Sequence, residues 1–153
     1  MSNQDSKQEH DRLTYRVEEQ MRILLRTIRR EMNQRFEGKA TRSEFFILRS
    51  LVENGPQRPT ALADQFELAT SQVTALTDKL YRLGYVTRIR SDEDRRSILV
   101  TLTPEGERAF RELEIIRRDY LQERFGDLTN DELSMMVDVF DKILLTLDTV
   151  EEI

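Results

Sequence analysis

Two adjacent arginines, Arg95 and Arg96, have the most distinctive chemistry in this sequence. They close a run of six polar or charged residues, Ser91 to Arg96, in which three acids precede them, and runs rich in Val, Ile, Leu and Thr flank it on both sides. A guanidinium is weakly hydrated and binds carboxylates and phosphates, so such a pair at a hairpin tip suits an anionic partner. The alternative is a solvated loop whose charges prevent association at a sheet edge.

A second set of polar side chains lies on the segment Thr70 to Leu83. Its apolar residues gather on one side at helical spacing, and small and polar residues occupy the opposite side. Small side chains at Ser71 and Ala75 allow close approach to base edges, and hydroxyls, an amide and Lys79 supply donors to bases and phosphates. An ordinary amphipathic surface helix is the alternative that amphipathicity alone leaves open.

Carboxylates are expected to hold two of the arginines in place. Asp78 and Arg82 have the i, i+4 spacing of a helical ion pair. Asp94 lies two residues before Arg96, on the same strand face, and is expected to hold it by a charge-assisted contact. Arg96 is the better candidate for insertion into a minor groove, whereas Arg95 points the other way to bind a phosphate or brace the hairpin.

The residue types argue against catalysis. The sequence has one histidine, His10, and no cysteine. No Gly-rich phosphate loop precedes a helix, and neither an H-E-x-x-H nor a G-x-S-x-G motif occurs. The acid pair Asp92 and Asp94 lies on a hairpin tip rather than in a cleft. We therefore expect a protein that is not an enzyme, needs no cofactor and holds no metal.

Three short helices and a hairpin are predicted to position these side chains. Thr41 and Glu44 have the spacing of a capping box at the start of the first helix, Asn54-Gly55-Pro56 ends that helix, and Gly84 ends the third. Two short helices joined by a tight turn form a helix-turn-helix. The strands Tyr85–Arg90 and Ser97–Thr103, with alternation clearest in the second, then form a wing whose tip reaches a minor groove.

Longer helices are predicted at both ends of the chain. One runs from about Lys7 to Phe36, roughly 45 Å, which exceeds the diameter of a small domain and requires apolar cover elsewhere. Another runs from Glu105 to about Arg124, and a last helix follows with apolar spacing typical of helix-on-helix packing. We expect both ends to pack against a second copy, with intramolecular packing as the alternative. The expected dimer contacts are Leu13, Val17, Leu133, Val137, Phe140, Leu144 and Leu147.

Charge and composition agree with a helical protein that binds an anion in its middle. Charged residues make up 35% of the chain, apolar residues 38%, and Gly and Pro number five and three. The net charge is −5, but the acids concentrate at the C-terminus: residues 119–153 hold ten acids and two basic residues, whereas residues 70–96 hold four acids and six basic residues. With no long apolar run, no apolar N-terminal core and no cysteine, a cytoplasmic protein is expected without membrane association.

The run from Leu62 to Glu107 resembles the MarR family of bacterial winged-helix transcription regulators. An Asp-Arg-Arg wing followed by Leu-Thr-x-x-Gly is its most specific part, and the terminal helical regions extend the resemblance over nearly the whole chain. The sequence departs from the family pattern at Ala69, Ala75 and Ser91-Asp92. The matching residues are Leu62, Ala63, Ser71, Val73, Thr74, Leu76, Asp78, Lys79, Leu80, Gly84, Val86, Arg88, Asp94, Arg95, Arg96, Val100, Leu102, Thr103 and Gly106.

The resemblance implies a mainly α homodimer with a small β-hairpin wing. Residues 1–36 and 105–153 would form the helical dimerisation region, and residues 37–104 the winged helix-turn-helix lobe. Each recognition helix would enter a major groove of a palindromic operator, with the wings in flanking minor grooves. The implied function is transcriptional repression; a winged-helix module that binds protein partners is the alternative. The expected DNA contacts are Thr60, Thr70, Ser71, Gln72, Thr74, Ala75, Lys79, Arg82, Arg88, Arg90, Asp94, Arg95 and Arg96.

The resemblance also implies release of DNA by a small, often phenolic or anionic effector. Its site would lie near the first, second and fifth helices, where Phe45, Phe46 and Tyr15 are candidates, although such aromatics are more often core residues. The absence of cysteine excludes thiol-based oxidant sensing, and the single histidine argues against zinc sensing.

Overall fold

A computed structural model describes residues 3–147 of the chain. Residues 1–2 and 148–153, which belong to the predicted terminal dimerisation regions, lie outside the described residues. The predicted fold class and order of elements are confirmed: four helices, a hairpin, and two more helices. The elements are α1 (Asn3–Arg35), α2 (Arg42–Asn54), α3 (Pro59–Gln65), α4 (Thr70–Arg82), β1 (Val86–Arg90), β2 (Ile98–Leu102), α5 (Pro104–Phe125) and α6 (Asn130–Leu144).

The predicted capping box begins α2. The Thr41 hydroxyl accepts from the Glu44 backbone N–H at 3.3 Å, and the Glu44 carboxylate accepts from the Thr41 N–H at 2.7 Å. Gly55 follows the helix with a φ of +73°, a conformation that glycine adopts without strain. Both predicted boundaries of α2 are thus confirmed.

The turn between α3 and α4 is tight. Glu67 has a φ of +50°, and the Leu68 N–H donates to the Ala63 carbonyl at 2.9 Å. The N-cap of α4 is Ala69, which has no side-chain acceptor; instead the Gln72 side chain accepts from the Ala69 N–H at 3.0 Å. Half of a capping box therefore remains without the usual hydroxyl.

Apolar side chains of α2, α3, α4 and the hairpin form the core around which these elements pack. Leu48, Leu62, Val73, Leu80 and Val100 are all buried. Each such residue contributes about 1.5–3 kcal/mol relative to an exposed position.

An aromatic cluster joins α2 to its neighbours. The Phe45 ring lies 5.6 Å from Phe36 and stacks on Phe110 of α5 at 5.5 Å. Phe45 is completely buried, so it is a core residue rather than an exposed ligand contact.

The hairpin is shorter than predicted. Val86 pairs with Leu102 at its base and Arg90 with Ile98 at its tip. Tyr85 lies outside β1, because its N–H bonds to the Leu80 carbonyl of α4. The alternation expected in the second strand holds at Val100 but not at Ile98, which is 53% exposed because the hairpin tip extends beyond the core.

A third backbone segment extends the hairpin. The Gln57 N–H donates to the Val100 carbonyl at 3.0 Å, and the Val100 N–H donates to the Gln57 carbonyl at 2.8 Å. The loop between α2 and α3 thereby pairs with β2 in an isolated antiparallel bridge. One edge of the small sheet is covered by this contact.

The motif Leu-Thr-x-x-Gly closes the base of the wing. The Thr103 hydroxyl donates to the Gly84 carbonyl at 2.5 Å and accepts from the Gly106 N–H at 3.0 Å, which caps α5. A Cβ on Gly106 would lie 1.9 Å from the Tyr85 carbonyl oxygen. Glycine is therefore required there by close backbone approach.

The chain divides into two compact units, residues 1–116 and 117–153. In the first, residues 4–26 of α1 are exposed, including the apolar residues Leu13, Val17 and Leu24. Within residues 3–147, no helix combines the length and apolarity needed to span a membrane.

In the second unit, α6 begins at the capping box of Thr129 and Glu132 and buries none of its side chains. Val137 is 57% exposed and Phe140 is 46% exposed. The predicted apolar seam continued to Leu147, but α6 ends at Leu144, so Leu147 lies beyond the helix.

Candidate nucleic-acid interface

The N-terminal half of α4 exposes a face of small and hydroxyl-bearing residues. Helical periodicity places Val73 and Leu80 in the core and turns the opposite side outward. The Thr74 hydroxyl donates to the Thr70 carbonyl at 2.9 Å, which leaves its oxygen able to accept. The exposed candidate residues of this face are Thr70, Ser71, Gln72, Thr74 and Ala75.

Lys79 lies on the same helix, but its ammonium points to a buried carboxylate. The Nζ atom is 2.8 Å from Oε1 of Glu44 and 3.2 Å from its Oε2. The Glu44 side chain is 2% exposed, and that of Lys79 is 41% exposed. The sequence indicated a capping role for Glu44 and gave no signal for this ion pair between α2 and α4.

The expected pair between Asp78 and Arg82 is wrong. Asp78 instead forms an ion pair with Arg88 of β1, whose guanidinium also lies 5.4 Å above the Tyr81 ring. The strand runs beside α4, so a side chain from β1 reaches Asp78 and holds the wing against the helix. Arg82 is exposed, and no carboxylate among residues 3–147 pairs with it.

Asp94 organises the wing tip through hydrogen bonds. Its Oδ2 accepts from the Ser97 hydroxyl at 2.7 Å, and its Oδ1 accepts from the Arg96 backbone N–H at 3.0 Å. The expected contact with the Arg96 side chain is therefore wrong, because the carboxylate binds the backbone of that residue. The pKa of Asp94 is lowered chiefly by the Ser97 hydrogen bond, then by the Arg96 N–H, and last by the Arg58 guanidinium at 3.9 Å.

The rest of the tip is equally ordered. The buried Ser91 hydroxyl accepts from the N–H groups of Glu93 and Asp94 at 3.3 and 3.4 Å. The Ser91 N–H donates to the Ser97 carbonyl at 2.9 Å. Arg95 and Arg96 therefore project from a turn whose backbone is fixed on both sides.

Four exposed arginines of these two elements, unlike Arg88, have no carboxylate partner among residues 3–147. This group comprises Arg82 at the end of α4 and Arg90, Arg95 and Arg96 on the wing. Thr60 is exposed on α3. Cations with no internal counterion are available to phosphates, and the release of counterions from a duplex favours such contacts.

A buried polar network, which the sequence did not indicate, joins α2 to the loop whose backbone pairs with β2 of the wing. Ser50 is buried on α2, and its hydroxyl donates to the Gln65 side chain at 2.7 Å. The Gln57 side chain donates to the Ser50 hydroxyl at 2.8 Å and to its carbonyl at 3.1 Å. A serine within the apolar run of α2 was the available signal, since buried hydroxyls require partners.

Cationic and aromatic side chains adjoin each other where α1 meets α2. The Arg42 guanidinium lies 4.6 Å above the Phe46 ring. Its pKa is lowered, mainly by desolvation and further by the positive charge of Arg29. Tyr15, the third aromatic candidate for an effector site, is exposed on α1. Among residues 3–147, no cluster of His, Cys, Asp and Glu has the arrangement of a metal site.

Comparison with known proteins places these features in a family. The model of the MarR family matches residues 40–98. The uncharacterized HTH-type transcriptional regulator YpoP of Bacillus subtilis is 36% identical over 131 residues, which cover 86% of this chain and 93% of that protein. The HTH-type transcriptional repressor MdtR of the same organism is 27% identical, with 93% and 92% covered.

Solved structures share the fold. The transcriptional regulator BldR from Sulfolobus solfataricus matches with a TM-score of 0.74 and 27% identity, covering 96% of this chain and all of that one. A mutant of Escherichia coli MarR complexed with operator DNA matches with a TM-score of 0.74 over 84% of this chain and 93% of that one. Its 23% identity supports the likeness of fold alone.

Proposed function

The chain belongs to the MarR family of transcriptional regulators, and we propose that it is a homodimeric repressor that binds a palindromic operator. Four arginines on α4 and the wing that lack a carboxylate partner in the described chain are the observation that carries this proposal. They lie on the two elements that a winged helix-turn-helix presents to DNA. A genomic target also favours a cytoplasmic location.

α4 and the wing would contact different parts of the duplex. The hydroxyl-bearing half of α4 enters the major groove, where donors and acceptors distinguish the base pairs. The wing follows the backbone, and Arg96 enters the adjacent minor groove, whose negative potential favours a guanidinium. Arg95 and Arg82 contact phosphates, which contribute affinity rather than sequence discrimination.

Dimerisation would use the apolar side chains that each terminal helix leaves exposed. On α1 these include Leu13 and Val17, and on α6 they include Val137, Phe140 and Leu144. Exposed apolar side chains that cluster on one surface are typical of a protein interface. A twofold dimer requires the same patch on both copies, and its symmetry accounts for a palindromic operator. We accordingly assign dimerisation to residues 1–36 and 105–153, and DNA binding to residues 37–104.

Release by an effector is the third part of the proposal. Arg29 and Arg42 are close enough for their charges to repel each other, and Arg42 lies on the half-buried Phe46 ring. A small anion with an aromatic ring would relieve that repulsion and stack on exposed ring surface. These residues support an anionic effector bound by α1 and α2.

A protein-binding wing is the second candidate function. Ile89 and Ile98 are both exposed on the hairpin, and such residues are more typical of a protein contact than of a phosphate contact. DNA binding by the wing should weaken steeply with salt, whereas an apolar protein contact should not.

Selection from a randomised duplex library tests the proposal. Enrichment of an inverted repeat with half-site centres about 10 base pairs apart is expected. Arg96→Ala should weaken binding of the enriched duplex with unchanged dimer mass, while Arg49→Ala, at a position already paired with Glu53, serves as the control. Absence of enrichment at low salt would overturn the proposal, and so would duplex binding that is insensitive to both salt and Arg96→Ala.

A further inference from the structure

We propose that Glu44 and Lys79 position the recognition helix, and that Lys79 contributes to DNA binding through this pair rather than by contacting phosphate. The inference rests on the proposed DNA-binding function and changes the role of one expected DNA contact. Glu44 is in the first turn of α2 and Lys79 in the third turn of α4, 35 residues apart in sequence.

The carboxylate of Glu44 is fully engaged. Its Oε2 accepts from the Thr41 N–H at 2.7 Å and from Lys79 Nζ at 3.2 Å, and its Oε1 lies 2.8 Å from the same Nζ. At 2% exposure the carboxylate has almost no contact with water, so the ammonium is its source of charge compensation. A turn of Lys79 toward DNA would leave a buried negative charge unpaired.

The pair also fixes a position along α4. Val73 and Leu80 bury the inner side of the helix but allow small rotations, since apolar contacts are not directional. An ion pair with two short N···O distances is directional. It links α4 to the capped, and therefore rigid, first turn of α2. The rotation that it selects determines which of Ser71, Gln72 and Ala75 face a major groove.

A phosphate ligand and a positioning residue respond differently to substitution. Loss of a phosphate contact lowers the salt dependence of binding by about 0.9 per contact in a plot of log K against log salt concentration. Loss of a positioning contact changes the ratio of specific to non-specific affinity and leaves that slope unchanged. Removal of the charge of Glu44 changes the affinity for DNA in opposite directions under the two roles. If Lys79 binds phosphate, its release from Glu44 makes binding tighter. If the pair positions α4, the misaligned helix binds its operator more weakly.

The experiment measures the affinity of full-length variants for two duplexes, one enriched from a randomised library and one of unrelated sequence. Glu44→Gln retains an acceptor for the Thr41 N–H and removes the charge that Lys79 needs. We expect about a tenfold weaker affinity for the enriched duplex and a change within about twofold for the other. Glu53→Gln is the matched control, because Glu53 is exposed on the same helix and pairs with Arg49.

Variants of Lys79 and Arg82 complete the comparison. Lys79→Met should weaken specific binding with an unchanged salt slope, whereas Arg82→Met, on the same helix and without a carboxylate partner among residues 3–147, should lower that slope. The double variant Glu44→Gln/Lys79→Met leaves no unpaired charge and should recover part of the lost specificity. Tighter binding by Glu44→Gln, a lower slope for Lys79→Met, or an equal loss for both duplexes would overturn the proposal.

Hydrogen exchange in the DNA-free protein separates this inference from the proposed function. Amides of Thr70–Arg82 should exchange faster in Glu44→Gln than in Glu53→Gln. If the wild-type protein retains no duplex, the proposed function fails while the exchange rates still decide whether the pair restrains α4. Equal exchange in both variants would overturn the positioning role whatever the protein binds.

Discussion

Gln57 and Val100 exchange both of their backbone hydrogen bonds, with N···O distances of 3.0 and 2.8 Å, although 43 positions separate them in the chain. The first residue belongs to the loop between α2 and α3, and the second to β2 of the wing. The wing is therefore fastened to the segment that precedes the helix-turn-helix. Its orientation depends on that loop as well as on the recognition helix.

Gln57→Leu should lower the free energy of unfolding by about 1–3 kcal/mol, because it leaves the buried Ser50 hydroxyl and carbonyl without one of their donors. The measurement is chemical denaturation monitored by circular dichroism. Gln122→Leu, at an exposed position on α5, is the control and should change stability much less. Equal effects of the two substitutions would show that the Ser50 network does not stabilise the lobe.

Gly106→Ala should be destabilising by about 1–3 kcal/mol, because the added Cβ would lie 1.9 Å from the Tyr85 carbonyl oxygen. Backbone on both sides must move to accept it. Thermal unfolding measures the change, with Glu107→Ala at the next, exposed position as the control. An alanine variant as stable as the wild type would mean that the backbone at the base of the wing moves at little cost in free energy.

Phe140→Asp should convert the proposed dimer to a monomer, because a carboxylate would be placed in the apolar surface of α6 at a desolvation cost. Sedimentation velocity gives the mass of each species. Asp138→Asn, also exposed on α6, should leave the mass unchanged. A dimer that persists in the Phe140→Asp variant would place the interface on another surface.

Acid should release the wing tip only below the ordinary pKa of aspartate. Folding lowers the pKa of Asp94 from 3.8, chiefly through the Ser97 hydroxyl and then the Arg96 N–H. A carboxyl with a lowered pKa stabilises the folded state above its unfolded pKa, and the contribution is lost as the pH falls through the lowered value. The tip should thus remain ordered at pH 5 and loosen well below pH 4.

Nuclear magnetic resonance can follow this titration at the Arg96 backbone amide. Its chemical shift should change with an apparent pKa below 3.8 in the wild type. The Asp94→Asn variant should lose the transition while keeping an acceptor for the same N–H. A midpoint at or above the ordinary value would contradict the hydrogen-bonded geometry of the tip.

Local sequence signals predicted most of the fold. The Thr41 capping box, Gly55 and Gly84 marked helix ends, because capping and positive φ depend on residues close together in the chain. Helical periodicity likewise identified α1 and α6 as helices with a continuous apolar side. The end of α6 at Leu144 was missed, since the periodic spacing continues past the point where the helix stops.

The partners of charged side chains could not be predicted in the same way. Asp78 has Arg82 one turn away, yet it pairs with Arg88, because the fold brings β1 alongside α4. Lys79 pairs with Glu44 across 35 residues of sequence. Which ion pairs form depends on how whole elements are placed relative to one another, and helical spacing alone gives no information about that placement. The exposed face of α4, by contrast, follows from periodicity and was predicted.

The contacts of Thr103 and Gly106 have a mechanical consequence. The Thr103 hydroxyl bonds both to Gly84, in the turn after α4, and to Gly106, in the first turn of α5. At Gly106 the backbone lies so close to that of Tyr85 that there is no room for a Cβ. The base of the wing and the first turn of α5 are therefore joined by both a side-chain and a backbone contact. We expect a displacement of the first turn of α5 to move the base of the wing with it.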